Sequence, residues 1–325
     1  MSPSHSLTLA CGSYDINHAL ATGEIRARGI DLTVLVLPSP ERHARMALHR
    51  EFDVCELSMA TFLTIWGSGD RSLIAIPAFP HRRFRHGFIF VPEASTISDP
   101  AELNGRRIGL RTWQTTAGLW ARGILQDDHG VDLRAVQWVT QDAEDVPPPD
   151  GFPFSIARAR AGESVVEMLR RGELDALIYP ELPAGAGEPG SGIRRLFPDS
   201  KAAEIDYVRR TGNFPIMHTV VIRRVLVDRL PWAARELLEA FRASKDRALD
   251  RMRDPRSVSL AWLREALAEQ REILGPDPWS YEFEANRVPL GTMIRYGYEQ
   301  GMLPGPIPPA ELFVASTVEE LPSYV

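Results

Sequence analysis

Two histidines and three arginines surround a single aromatic ring in His81-Arg82-Arg83-Phe84-Arg85-His86, the most unusual local composition in the chain. A guanidinium is always charged and meets a carboxylate with two parallel donors. Several of them beside Phe84 or Tyr14 therefore suit a small, strongly acidic ligand that can stack. The run suits a solvated basic loop as well, because charge runs usually lie on surfaces. His81 and His86 also leave a metal-assisted site open, although no H-E-x-x-H is present and spacing fixes no third ligand.

A second group is Arg111-Thr112-Trp113-Gln114-Thr115-Thr116, which reads as a strand end, a short polar loop and a helix start. Free amides at a helix start attract an anion, and Arg111 beside them would complete a two-point carboxylate clamp. The plainer alternative is that Thr115 or Thr116 caps its own helix. A third group, Arg209 to His218, carries Arg210 into an apolar extended run. A lone histidine in such a run is more often a hydrogen-bonded core residue than a catalyst. No G-x-S-x-G, G-x-x-x-x-G-K-[ST] or G-x-G-x-x-G stands at a strand-to-helix junction, so serine-hydrolase, P-loop and dinucleotide readings lack their parts. Cys11 and Cys55 are the only cysteines and read as reduced, buried small hydrophobes. The basic residues are 35 arginines and two lysines, Lys201 and Lys245. Neither lysine reads as a buried amine, which counts against Schiff-base chemistry.

The elements that must position these groups alternate. Runs at 7–10, 32–36, 52–55 and 73–76 read as strands, separated by helices at 16–21, 39–49 and 58–67. The extended run 87–91 ends at Pro92, where a first lobe boundary is placed. A second set follows: strands at 107–110, 136–139 and 175–179, and helices at 115–127 and 163–171. The Pro-rich 145–153 reads as a surface loop and 185–192 as a glycine-rich one. A further extended run, 216–223, leads into helices from Pro231 onward, at 258–274 and at 289–301. The expected division is 1–91 with 216–325 as a first, discontinuous lobe and 92–215 as a second. In open α/β sheets ligands bind at the carboxyl ends of the strands. That rule selects the segments holding Tyr14, Asp15, Ser58, Glu181 and the first two groups above.

Composition narrows the function. With 325 residues, 44% hydrophobic and a net charge of −6, the chain is an ordinary globular protein without a general electrostatic footprint for nucleic acid. No stretch suits a membrane span, and the start lacks the features of a secretory signal, so a cytoplasmic location is expected.

Several of these segments resemble the 4,5-dihydroxyphthalate decarboxylases: Leu-Thr-Leu-Ala-Cys-Gly-Ser-Tyr-Asp at 7–15, Glu-Phe-Asp-Val-Cys-Glu-Leu-Ser at 51–58 and Ala-Ile-Pro-Ala-Phe-Pro-His-Arg-Arg-Phe-Arg-His at 75–86. Further matches are 103–110, 209–223 and Glu-Leu-Phe at 311–313, in order over nearly the whole chain. The resemblance implies an α/β, two-lobed type 2 periplasmic-binding-protein-like fold with two crossover strands and an inter-lobe cleft. It also implies cofactor-independent decarboxylation of a hydroxylated aromatic mono- or dicarboxylate, such as 4,5-dihydroxyphthalate to protocatechuate, as part of phthalate degradation. On that reading His218 is the first choice of proton donor and His86 the second, and Asp15 or Glu181 accepts a phenol proton. Arg85, Arg111 and Arg210, drawn from both halves, hold carboxylates with Thr115 and Thr116. Arg82 and Ser58 belong to the binding set, and Tyr14 or Phe84 packs on the ring. The expected ligand is a small aromatic carboxylate, with homo-oligomerisation left open and neither nucleic acid nor membrane as partner. The alternatives are a non-catalytic carboxylate-binding protein of the same fold and a metal-assisted decarboxylase built on His81 and His86.

Overall fold

The computed structural model describes residues 5–318. The chain begins with β1 (His5–Cys11), α1 (Asp15–Ala21), β2 (Ile30–Val36), α2 (Ser39–His49), β3 (Val54–Ser58), α3 (Met59–Gly67) and β4 (Leu73–Ile76). It continues with β5 (Ile89–Pro92), β6 (Arg107–Leu110), α4 (Thr116–His129), β7 (Gln137–Thr140), β8 (Ile156–Arg158), α5 (Val165–Arg170), β9 (Ala176–Ile178), β10 (Ile193–Arg195) and α6 (Ser200–Thr211). Then come β11 (His218–Arg223), α7 (Arg224–Arg229), α8 (Ala233–Arg253), α9 (Leu263–Leu274) and α10 (Arg287–Glu299).

The chain forms two compact units. The first comprises the described residues up to Arg82, Ile216–Gly291 and the described residues from Ile307. Its sheet has the order β2-β1-β3-β11-β4, with β1 parallel to β2 and β3 and with β11 antiparallel to β3 and β4. Val54 to Ser58 are all buried, as a central strand covered on both faces requires. Helix α3 is apolar nearly all round and buried from Met59 to Trp66, whereas α8 turns only one stripe inward. That stripe lies on α1, where Ser244 Oγ accepts the Leu20 N–H at 3.1 Å.

The second unit comprises Arg83–Pro215 and Thr292–Pro306. Its strand order is β10-β5-β9-β6-β7-β8, parallel from β9 to β8 and antiparallel at β5 and β10. Phe90, Val139, Val165, Leu169, Leu177 and Ile193 form its core. Buried Arg122 of α4 lies over the Trp113 ring at 3.8 Å and donates to Gln300 Oε1 at 2.7 Å. This fastens the 292–306 segment to the unit.

The division differs from the expected one at two places. The 87–91 run was assigned to the first lobe, but β5 pairs with β9 and β10, so the second unit starts at Arg83. The segment 292–306, expected in the first lobe, packs in the second. Lys245 also departs from expectation. It is only 5% exposed and its ammonium bonds to Asp277 Oδ2 at 2.5 Å. Both cysteines are buried and free, as expected. Among the described residues no helix is long and apolar enough to cross a membrane.

Candidate active site

The first unit carries its chemistry at the carboxyl ends of β1 and β3. Register puts it there: His218 opposes Ser58 and Val220 opposes Glu56 across β11 and β3. Side chains two apart along a strand share a face, so Glu56 and His218 are diagonal neighbours on one face of the sheet. Glu56 has no exposed surface. A buried carboxylate is tolerated only when paired and hydrogen-bonded, and this one is. Its Oε2 accepts the Gly12 N–H at 2.7 Å, and its Oε1 accepts from Arg42 Nη2 at 2.6 Å. His218 Nδ1 lies 2.5 Å from the same Oε1.

Arg42 reaches in from α2 and is 1% exposed. Its Nε donates to the Glu56 carbonyl at 3.1 Å and its Nη1 to the Leu37 carbonyl at 2.8 Å, so the guanidinium plane is fixed. Rings surround the pair. His218 meets His81 edge-on at 4.7 Å and His43 edge-on at 4.8 Å, and Tyr14 stacks on His81 at 5.6 Å. Burial, and next the His218 ring, hold His43 well below the usual histidine range, so it stays neutral. Burial, followed by the Glu56 charge, pushes the Tyr14 phenol up and the Cys11 thiol up to about 12. Both therefore keep their protons at neutral pH. Tyr14 also lines a hollow of about 430 Å³ with Asp15, His18, Ala248, Arg251 and Met252. Asp15 is exposed and its Oδ1 accepts the Ile16 N–H at 2.9 Å. Arg82 is buried, donates to Asn286 Oδ1, and is pushed down to about 10 by that burial. Ser58 caps α3, its Oγ accepting the Thr61 N–H at 3.4 Å.

The second unit has polar strand ends of its own. Arg111, at the end of β6, donates through Nε to Asp142 Oδ2 at 3.1 Å with both side chains partly exposed. The loop ahead of the helix start read as an anion seat is occupied by an acidic side chain of the same unit. Trp113 N and Gln114 N donate to the two oxygens of Glu144 at 2.6 and 3.0 Å. Thr115 is the helix cap, its Oγ1 accepting the Gly118 N–H at 3.2 Å, and Thr116 is buried. Thr115→Ala accordingly lowers the unfolding free energy by about 1 kcal/mol, read from the urea midpoint, and leaves KM unchanged.

Other expected site residues fall elsewhere. Arg85, Arg111 and Arg210 all belong to the second unit and are not drawn from both halves. Arg210 is exposed and grips Asp128 with two bonds of 3.0 and 2.8 Å, so it is committed to helix α4. Arg85 is 2% exposed, donates to the Pro180 carbonyl at 3.1 Å and is pushed down to about 9 by burial. Phe84 packs on Phe214 at 4.9 Å, and Glu181 is exposed. His86 sits between Phe197 and Tyr207, where burial pushes it down to about 4. His81, in the first unit, faces His218 and Tyr14. Among the described residues no group of three or more His, Cys, Asp or Glu is arranged to hold a metal ion.

Arg42 and His43 were not singled out from the sequence, and Glu56 appeared only inside a strand-end segment. The available signal was a carboxylate, Glu56, set directly between apolar Val54, Cys55 and Leu57 in a run that reads as a strand. Such a group is either exposed or paired, and the residues flanking it are apolar.

No protein-family model matches the chain. The solved structures it resembles include the periplasmic aliphatic sulphonate binding protein SsuA from Escherichia coli, 13% identical with a TM-score of 0.54 over 96% of this chain and 98% of that one. The alkanesulfonate-binding protein SsuA from Xanthomonas axonopodis pv. citri, bound to MOPS, is 14% identical with a TM-score of 0.54 over 98% and 99%. The fold is thus periplasmic-binding-protein-like. Curated relatives are a 4,5-dihydroxyphthalate decarboxylase of Pseudomonas putida, 31% identical over 63% of this chain and 81% of the relative, and one of Comamonas testosteroni, 32% identical over 96% and 97%. At that identity and coverage the chain belongs to the 4,5-dihydroxyphthalate decarboxylase family of carboxy-lyases.

Proposed function

We propose that this enzyme removes one carboxylate, as carbon dioxide, from a hydroxylated aromatic dicarboxylate without a cofactor, 4,5-dihydroxyphthalate giving 3,4-dihydroxybenzoate. The observation that carries the reading is His218 held 2.5 Å from a fully buried Glu56 carboxylate whose other oxygen is fixed by the Gly12 amide. A carboxylate bound at Nδ1 sets the tautomer and steadies the imidazolium, leaving the proton on Nε2 as the one to deliver.

The ring is its own electron sink. A hydroxyl para to the departing carboxylate pushes electron density onto the carboxyl-bearing carbon, which takes the His218 proton. The carbon–carbon bond then breaks, its electron pair returns to the ring, and carbon dioxide leaves. Aromaticity is restored and His218 is reprotonated from solvent. The family membership and the histidine–carboxylate pair support this sequence of steps.

The test is incubation with 4,5-dihydroxyphthalate in deuterium oxide. One carbon dioxide per substrate consumed and one deuterium on the vacated ring carbon of 3,4-dihydroxybenzoate are expected. Tight binding with no carbon dioxide released would replace the enzyme reading with that of a carboxylate receptor.

A further inference from the structure

We propose that the second unit carries a separate binding site for a small hydroxylated aromatic acid with a single carboxylate, in a hollow between the Pro-rich loop and the end of α10. The hollow measures about 490 Å³, a size typical of small-molecule sites, and every residue lining it belongs to that unit. None of them is a residue placed at the candidate active site above.

One buried ring joins the two walls from behind. Trp113 is 2% exposed; its indole N–H donates to the Gln300 carbonyl at 3.0 Å, and Phe152 of the loop meets it edge-on at 5.7 Å. Just past α10 the chain reverses at Gly301, whose φ of +76° suits glycine, and the Met302 N–H donates to the Gly297 carbonyl at 2.7 Å. A Cβ at Gly301 would lie 2.5 Å from Pro153 Cδ and 2.8 Å from Phe152 Cδ2, so the loop rests on bare backbone there. Packing therefore fixes both sides of the hollow.

The lining selects the ligand. Tyr298, which is 46% exposed, and half-buried Phe152 give each wall an aromatic surface on which a flat ring can pack. Glu299 is already engaged, accepting from Gln126 Nε2 at 2.9 Å and pairing with Arg295 Nη1 at 3.0 Å. Arg134 and Asp150 also line the hollow, and among the described residues neither makes an ion pair. The guanidinium is thus left to meet a carboxylate, and the Asp150 carboxylate to accept from a ring hydroxyl. A second carboxylate on the ligand would meet Asp150 with like charge, which favours a monocarboxylate. The product of the proposed decarboxylation has this chemistry and its substrate does not, although the site stands without that reading.

The test is isothermal titration of the whole chain with 3,4-dihydroxybenzoate. One binding event per chain should survive His218→Ala and weaken by about tenfold or more in Arg134→Ala, the size of one lost charge-assisted hydrogen bond, with kcat and KM for decarboxylation near the parent's. Tyr298→Ala should weaken the same event, and both side chains are exposed, so thermal midpoints should stay close to the parent's. Phthalate, with two carboxylates and no hydroxyl, should bind at this site about tenfold more weakly, and Asp150→Asn should narrow that gap. Binding lost in His218→Ala and unchanged in Arg134→Ala and Tyr298→Ala would put the ligand at the candidate active site and overturn the proposal. So would the absence of any binding event at millimolar ligand. Neither result depends on carbon dioxide release, so failure here is distinct from failure of the proposed function.

Discussion

His218→Ala lowers kcat for carbon dioxide release by about 10²- to 10⁴-fold, the usual contribution of a positioned general acid, and the variant remains folded. The fold survives because Glu56 keeps its other donors, the Gly12 amide at 2.7 Å and Arg42 Nη2 at 2.6 Å, so no buried charge is stranded. The loss therefore appears in rate while the circular-dichroism melting curve stays close to the parent's. His86→Ala is the matched control. His86 is pushed down to about 4 by burial and lies between Phe197 and Tyr207, so at neutral pH it carries no proton to give. Its removal costs stability through lost ring packing and leaves kcat within a few-fold of the parent. Equal losses in the two variants, or full turnover in His218→Ala, would remove His218 from the donor role.

The contrast between these histidines shows where the sequence is legible. Strands β4 and β6 and helix α2 have the bounds that local pattern assigns, because each is a short apolar run, or an amphipathic one, between strong turn signals. Strands β8 and β10 were not foreseen. Each is three residues long and lies at a sheet edge, so its partner's register defines it and its own composition does not. Helix α6 buries only Tyr207 and so shows almost no apolar stripe.

The same limit governs the site. His218 was legible as a polar residue entering an apolar strand, but its partner lies 162 positions away in sequence. Arg42 reads locally as one more charge on a helix and becomes a core residue only when Glu56 is brought beneath it. Lys245 illustrates the same point, read as solvent-facing and found buried against Asp277, 32 residues on. Conversely Arg210, which looked poised for a ligand, meets Asp128 of a helix 82 residues earlier. Residue type indicates what a side chain can do. Long-range pairing decides whether it is available.

The largest stability effect is expected at the Arg42–Glu56 pair. Glu56→Gln leaves a guanidinium that is 1% exposed with no counter-charge, and breaking a buried ion pair from one side costs about 3–5 kcal/mol. The Gln amide can still accept the Gly12 N–H through its oxygen, so the loss reports the unpaired charge and not an empty strand end. Arg42→Met in the same chain removes that charge. The double variant Arg42→Met/Glu56→Gln should therefore be more stable than Glu56→Gln alone, a sign reversal that only a direct interaction between the two sites produces. Turnover should not recover with it, because the amide neither steadies the His218 imidazolium nor holds its tautomer as the carboxylate does. Urea denaturation of the four proteins, with carbon dioxide release measured on each, checks both halves. Additive destabilisation would show that Arg42 and Glu56 are not coupled. Activity returning with stability would show that Glu56 supports the fold and has no part in proton delivery.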